Sequence, residues 1–189
     1  MKLMKIFLPL IVLFGLNGCV SSTSSYYILS VALQPQKIYP TQRRVIGVEK
    51  VIVPGYLYKR EIAIADSPSH ITLLGTAQWG EDLDSGLTNR LIGYLQKKFN
   101  QPDVYMYPWG IDKQPDIKVS VHVTRFIAQG DSVYLDATWS VESVKIKKRV
   151  SRLFSTKVAT KSDVQSIVHS MDAAFAQFEE TVAVGIKNF

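Results

Sequence analysis

Cys19 is the single cysteine of the chain. Alone it cannot close an internal disulfide, and a free thiol in an oxidising compartment is a liability, so its position is the informative fact. The other residue types that could do chemistry are dispersed. His70, His122 and His169 fall on an expected turn, strand and helix, with no second His or Cys at ligand spacing, and no metal site is expected. Ser67-Pro68-Ser69-His70 has no nucleophile-elbow pattern, and neither Gly-x-Ser-x-Gly nor a glycine-rich phosphate loop occurs. Glu81, Asp82 and Asp84 form the one tight carboxylate group and read as an acidic helix start rather than an acid–base pair. No catalytic constellation is expected, and no cofactor.

The surroundings of Cys19 give it a chemistry. Residues 1–5 contain Lys2 and Lys5, and residues 6–16 form an uncharged apolar run. That run is too short for a mature span, which needs about 20 residues, but suits a signal peptide. Leu16-Asn17-Gly18-Cys19 resembles the lipobox of bacterial lipoproteins. The resemblance implies cleavage before Cys19, an S-diacylglyceryl group on its sulfur and an acyl chain on its new amino group. Two or more chains anchor a protein stably. Residues 20–25, Ser-rich and without core pattern, read as a flexible tether. By resemblance to enterobacterial lipoproteins, Val20 in place of Asp after the cysteine favours the outer membrane.

The expected organisation is therefore a signal peptide over residues 1–18, a lipidated cysteine and tether over 19–25, and one domain over 26–189. With 47% hydrophobic and 20% charged residues the chain can bury a core and is not disordered in character. Its formal charge of +6 includes Lys2 and Lys5 of the leader. The remaining positive excess is read as mild and scattered, short of a nucleic-acid footprint and compatible with an anionic membrane or an acidic partner.

Within the domain, residues 26–31 and 45–53 read as β segments, the second stopped by Pro54-Gly55. Residues 60–65 and 71–74 should pair as a hairpin around Asp66-Ser67-Pro68-Ser69. Leu83, Leu87, Leu91, Leu95 and Phe99 recur every four residues and predict a helix over 82–99. Residues 117–128 and 133–141 alternate strictly about Gln129-Gly130-Asp131, a second hairpin, with a third antiparallel strand over 149–158. Ser162-Asp163-Val164-Gln165 fits a capping box opening a last helix. Two helices with one apolar face each and strands with one polar face predict an α+β two-layer sandwich: a mostly antiparallel sheet with both helices on one side.

The aromatics at turns and element ends, Tyr56, Tyr58, Trp79, Tyr105, Tyr107 and Trp109, are explained by core packing or, where exposed near Lys59, Arg60 and Lys113, by a protein-binding patch. Several ordered segments are similar to the ABC-type transport auxiliary lipoproteins. They are Tyr26-Tyr27-Ile28-Leu29, Val53-Pro54-Gly55-Tyr56-Leu57-Tyr58-Lys59-Arg60, Trp79-Gly80-Glu81-Asp82-Leu83, Tyr107-Pro108-Trp109, Val121-His122-Val123-Thr124-Arg125-Phe126 and Leu135-Asp136-Ala137-Thr138-Trp139.

The resemblance implies a non-enzymatic periplasmic component of an MCE-type lipid transport system, anchored in the outer membrane and docking on an MCE-domain protein. Tyr56, Tyr58, Arg60, Trp79 and Trp109 are its expected partner-binding residues, and a homo-oligomeric ring is the arrangement that symmetry favours. Two other readings stand beside it. One is an outer-membrane lipoprotein regulating a peptidoglycan synthase, which calls for a longer tether than residues 20–25. The other is a lipid carrier, which calls for an apolar cavity.

Overall fold

A computed structural model describes residues 23–30, 32–39, 44–110 and 114–189. The strands are β1 (Ser25–Tyr27), β2 (Ile46–Glu49), β3 (Glu61–Ser67), β4 (His70–Trp79), β5 (Val104–Tyr107), β6 (Ile117–Gln129), β7 (Ser132–Ser143) and β8 (Lys148–Ala159). The helices are α1 (Leu83–Phe99) and α2 (Val164–Lys187).

Strict alternation builds the sheet. Val119, Val121 and Val123 of β6 and Val133, Leu135, Ala137 and Val141 of β7 are buried, while His122 and Thr124 face solvent. A register shift between Val123 and Arg125 then brings Phe126 to the buried face. β6 is the spine. β7 pairs along its length on one side and passes the ladder to β8; on the other side β2 takes its first residues and β3 its last. The order β1-β4-β3-β6-β2-β5 completes an eight-stranded mixed sheet. Its long ladders, β3–β4, β6–β7 and β7–β8, are antiparallel; its parallel pairs, β1–β4, β2–β5, β2–β6 and β3–β6, are short seams. The architecture is α+β with the helices on one face, as the patterning predicts.

Both helical stripes turn to the sheet. Leu83, Leu87, Leu91, Leu95 and Phe99 of α1 are buried, as are Ile167, Met171, Phe175, Phe178 and Val182 of α2. Phe175 packs 5.5 Å from Phe178, and Phe154 reaches over from β8 to meet Phe178 edge-on at 5.3 Å. Asn100, in the left-handed region at φ 48°, closes α1. The cap of α2 corrects the expected box by one position. Asp163, not Ser162, is the N-cap, and its carboxylate accepts the Ser166 N–H at 2.9 Å. An anionic cap at this end also meets the positive pole of the helix dipole. A second correction is β5, a strand that the turn-rich reading of Tyr105 and Tyr107 misses.

Polar contacts strap the start of the domain to the helices. Ser30 gives its N–H and hydroxyl to the Asp172 carboxylate at 2.9 and 2.6 Å. Lys97 donates to the Ala32 carbonyl, and the Tyr39 N–H to the Lys98 carbonyl at 2.7 Å. Lys98, almost wholly buried, pairs with Glu180 at 2.7 Å and lies 4.2 Å from the Tyr39 ring. Burial pushes the Glu180 carboxyl up, but hydrogen bonds from Lys98, Tyr94 and Tyr39 outweigh it and hold the group below its ordinary range.

Candidate functional site

Strands β2 and β5 run parallel, with Glu49 opposite Tyr107. Their ends, a 3-10 turn at Gly55–Tyr58 and the start of α1 share one end of the sheet. Pro54 begins the turn, and the Leu57 N–H closes on its carbonyl at 2.9 Å. Leu57 is the buried member of the turn, and Tyr58 projects from it into solvent. Beside it a hollow of about 220 Å³ is lined by Lys50, Lys59 and Arg60 together with Glu81, Asp82 and Asp84.

The residues expected to meet a partner differ in their surroundings. Tyr58 is 57% exposed, and Arg60 beside it is exposed. Tyr56 is half-buried; its hydroxyl accepts the Phe126 N–H at 3.1 Å just past the β6 register shift, and burial raises its pKa. It locks the turn to the sheet. Trp79 corrects the expectation of a surface residue, being 2% exposed. As the last residue of β4 it gives its N–H to the Arg60 carbonyl at 2.7 Å, and its ring joins the hydrophobic core. Trp109, half-buried, stands edge-on to Tyr105 at 6.0 Å and Tyr107 at 5.3 Å in a separate aromatic cluster after β5. Lys113 and Cys19 lie outside the described residues.

Two interactions at this end are absent from the sequence reading, which has Asp84 only as part of an acidic helix start. Asp84, 4% exposed, takes the Lys50 ammonium at 2.7 Å; the hydrogen bond to Asp84 raises the Lys50 pKa. Thr88 Oγ1 accepts the Val51 N–H at 2.9 Å and donates to the Asp84 carbonyl at 2.6 Å. Thr88 sits five residues into the Leu83 stripe, on the buried flank where a lone hydroxyl needs a partner, and that is the signal that could have found it. Together these bonds fix the approach of β2 to α1 and so the floor of the hollow.

Basic and acidic side chains thus lie together beside the protruding Tyr58, a mixed polar surface of the kind that protein interfaces use at their rims. The described histidines stay apart: His70 pairs with Asp66 at 3.0 Å, and His122 and His169 are exposed. Among the described residues no three side chains gather as a metal site, and no helix is long and apolar enough to cross a membrane.

Fold and site define a two-layer α+β domain that presents a polar, aromatic turn from a fixed sheet end. The chain belongs to the family of ABC-type transport auxiliary lipoprotein components, whose profile matches residues 27–183. Two crystal structures share the fold. One, of an uncharacterized protein, is 23% identical with a TM-score of 0.71 over 87% of this chain and 99% of its own. The other, from Xanthomonas campestris, is 14% identical with a TM-score of 0.74 over 85% and 93%. No curated protein sequence matches the chain.

Proposed function

We propose that the chain is a lipid-anchored periplasmic docking component of an MCE-type intermembrane lipid transport system, held at the outer membrane through acylated Cys19. Membership of the transport auxiliary lipoprotein family over residues 27–183 carries this reading. Supporting it, the segment that follows the tether is fastened to the body. β1 pairs with β4, the Gly80 N–H bonds the Tyr27 carbonyl at 2.7 Å, and Ser30 is gripped by Asp172. A short tether joined to a rigid sheet keeps the turn within a limited reach of the membrane and raises its local concentration there. The role is non-enzymatic: Tyr58, Arg60 and Trp109 contact an MCE-domain protein, and a homo-oligomeric ring matches a cyclic partner.

The test is purification of the lipidated protein from cross-linked envelope membranes, with mass spectrometry of what accompanies it. An MCE-domain protein is the expected companion. A peptidoglycan synthase in its place would overturn the transport role.

A further inference from the structure

The positive excess of the chain is not scattered. Residues 144–162 carry seven Lys or Arg and no Asp or Glu, while the rest of the chain after residue 18 is net acidic, 13 basic against 16 acidic. This run forms β8 and its flanking turns. β8 is twelve residues long and, among the described residues, pairs with β7 alone, which leaves its other side as an edge. Among the described residues, Lys145 is the one member of the run in an ion pair with a carboxylate, Asp116 at 2.8 Å. Lys148 and Lys157 lie over the Phe189 and Tyr134 rings, and Arg149 donates to Ser140. In the middle of the strand Leu153 is 86% exposed.

Edge lysines ordinarily guard a sheet against pairing with itself. A second copy of β8 would indeed meet this one with like charge on like. A guard does not account for Leu153, because a bare leucine at the centre of a long edge invites pairing. The other two edges are protected differently: β1 and β5 are three and four residues long and uncharged. We propose that β8 is a strand-addition site for an acidic extended segment of a partner protein. Main-chain bonds would run along the free edge, carboxylates would face Lys147 and Arg152, and an apolar side chain would cover Leu153.

Position in the sheet separates this partner from the anchoring membrane. β8 lies five strands from β1, roughly 24 Å at the usual spacing. Thr23 is within about 14 Å of residue 19 along the chain. An anchor at Cys19 therefore keeps the β1 edge near its membrane and leaves β8 far enough from that edge to meet a partner outside the membrane. The proposal requires neither the Tyr58 surface nor an MCE partner.

The test titrates the full chain in neutral detergent with a peptide of alternating Glu and Val, and with its Lys–Val counterpart, and follows amide hydrogen exchange by mass spectrometry. Strand addition requires slowed exchange across Lys148–Ala159 with the acidic peptide only, and affinity that falls as salt rises. The exposed double variant K147E/R152E should bind about tenfold more weakly with its melting temperature unchanged. Leu153→Ser should weaken binding but keep the salt dependence. Equal protection by both peptides, or none at millimolar peptide, overturns the proposal. So does β8 protection conferred by phosphatidylglycerol micelles and not by the peptide, which marks a lipid surface, or by raised protein concentration alone, which marks a second copy.

Discussion

The indole of Trp139 fills the space that a side chain at position 185 would need: a Cβ on Gly185 would lie 2.1 Å from the ring's Cη2 and 2.5 Å from Cζ3. Gly185 sits in the last turns of α2 and Trp139 on β7, so this close approach sets how deeply the helix seats on the sheet. Alanine is the better helix former by about 1 kcal/mol. Overpacking a fixed, buried indole costs more. Gly185→Ala should lower the unfolding free energy in urea by about 1–3 kcal/mol, and an unchanged or raised midpoint would contradict this packing.

Arg90 sits between the helices, donating to Glu179 at 3.2 Å and also to Asp172. Arg90→Met leaves Glu179 buried without its counter-charge and should cost about 3–5 kcal/mol, whereas Glu179→Gln should cost much less. Burial drives the Glu179 pKa up to about 7, against the opposing attraction and hydrogen bonds of Arg90, with Asp172 adding to the rise. The folded state therefore binds the Glu179 proton more tightly than the unfolded chain, whose carboxyl titrates near 4.5. The contribution is complete below pH 4.5 and is lost as pH climbs through 7. Relative to Glu179→Gln, the native protein should lose stability across that window; parallel stability curves for the two would show that Glu179 is ionised throughout.

Thr88→Val keeps the side chain's shape but strands the Val51 N–H, which is buried against Thr88 Oγ1. The expected cost is about 1–3 kcal/mol in chemical denaturation. A change below about 0.5 kcal/mol, the range of ordinary surface substitutions, would mean that the amide finds another acceptor.

Trp79 and Tyr58 should behave oppositely although both are aromatics of the same sheet end. Trp79→Ala removes a core side chain and should destabilise the fold by about 3–5 kcal/mol. Tyr58→Ala should stay within about 0.5 kcal/mol of native. Similar melting temperatures for the two variants would contradict the placement of Trp79 in the core.

Elements whose pattern repeats were legible in the sequence. The fourfold stripe of α1 and the alternation of β6 and β7 each recur several times, and each repeat reports the same buried face. The short parallel seams were not. β5 has four residues, Val-Tyr-Met-Tyr, and is held by its β2 neighbour rather than by its own pattern. Trp79 misled because position at an element end predicts exposure only when the next turn leaves the sheet, and here the Arg60 carbonyl draws it in. Total charge concealed the β8 edge: seven cations in one stretch are partly offset by an acidic excess elsewhere, so a mild positive total looked evenly spread. The ion pairs at Lys50–Asp84 and Arg90–Glu179 join residues far apart in the chain, which only the fold brings together.

The docking role is tested most directly by the yield of MCE-domain protein recovered from cross-linked envelopes with the native chain and with Tyr58, Arg60 and Trp109 replaced by alanine. Trp79 stays native so that the core is intact, and equal melting temperatures confirm it. Loss of the partner from the triple variant, with membrane attachment through Cys19 preserved, is the expected result. Undiminished recovery would contradict the assignment of the Gly55–Tyr58 end as the docking surface.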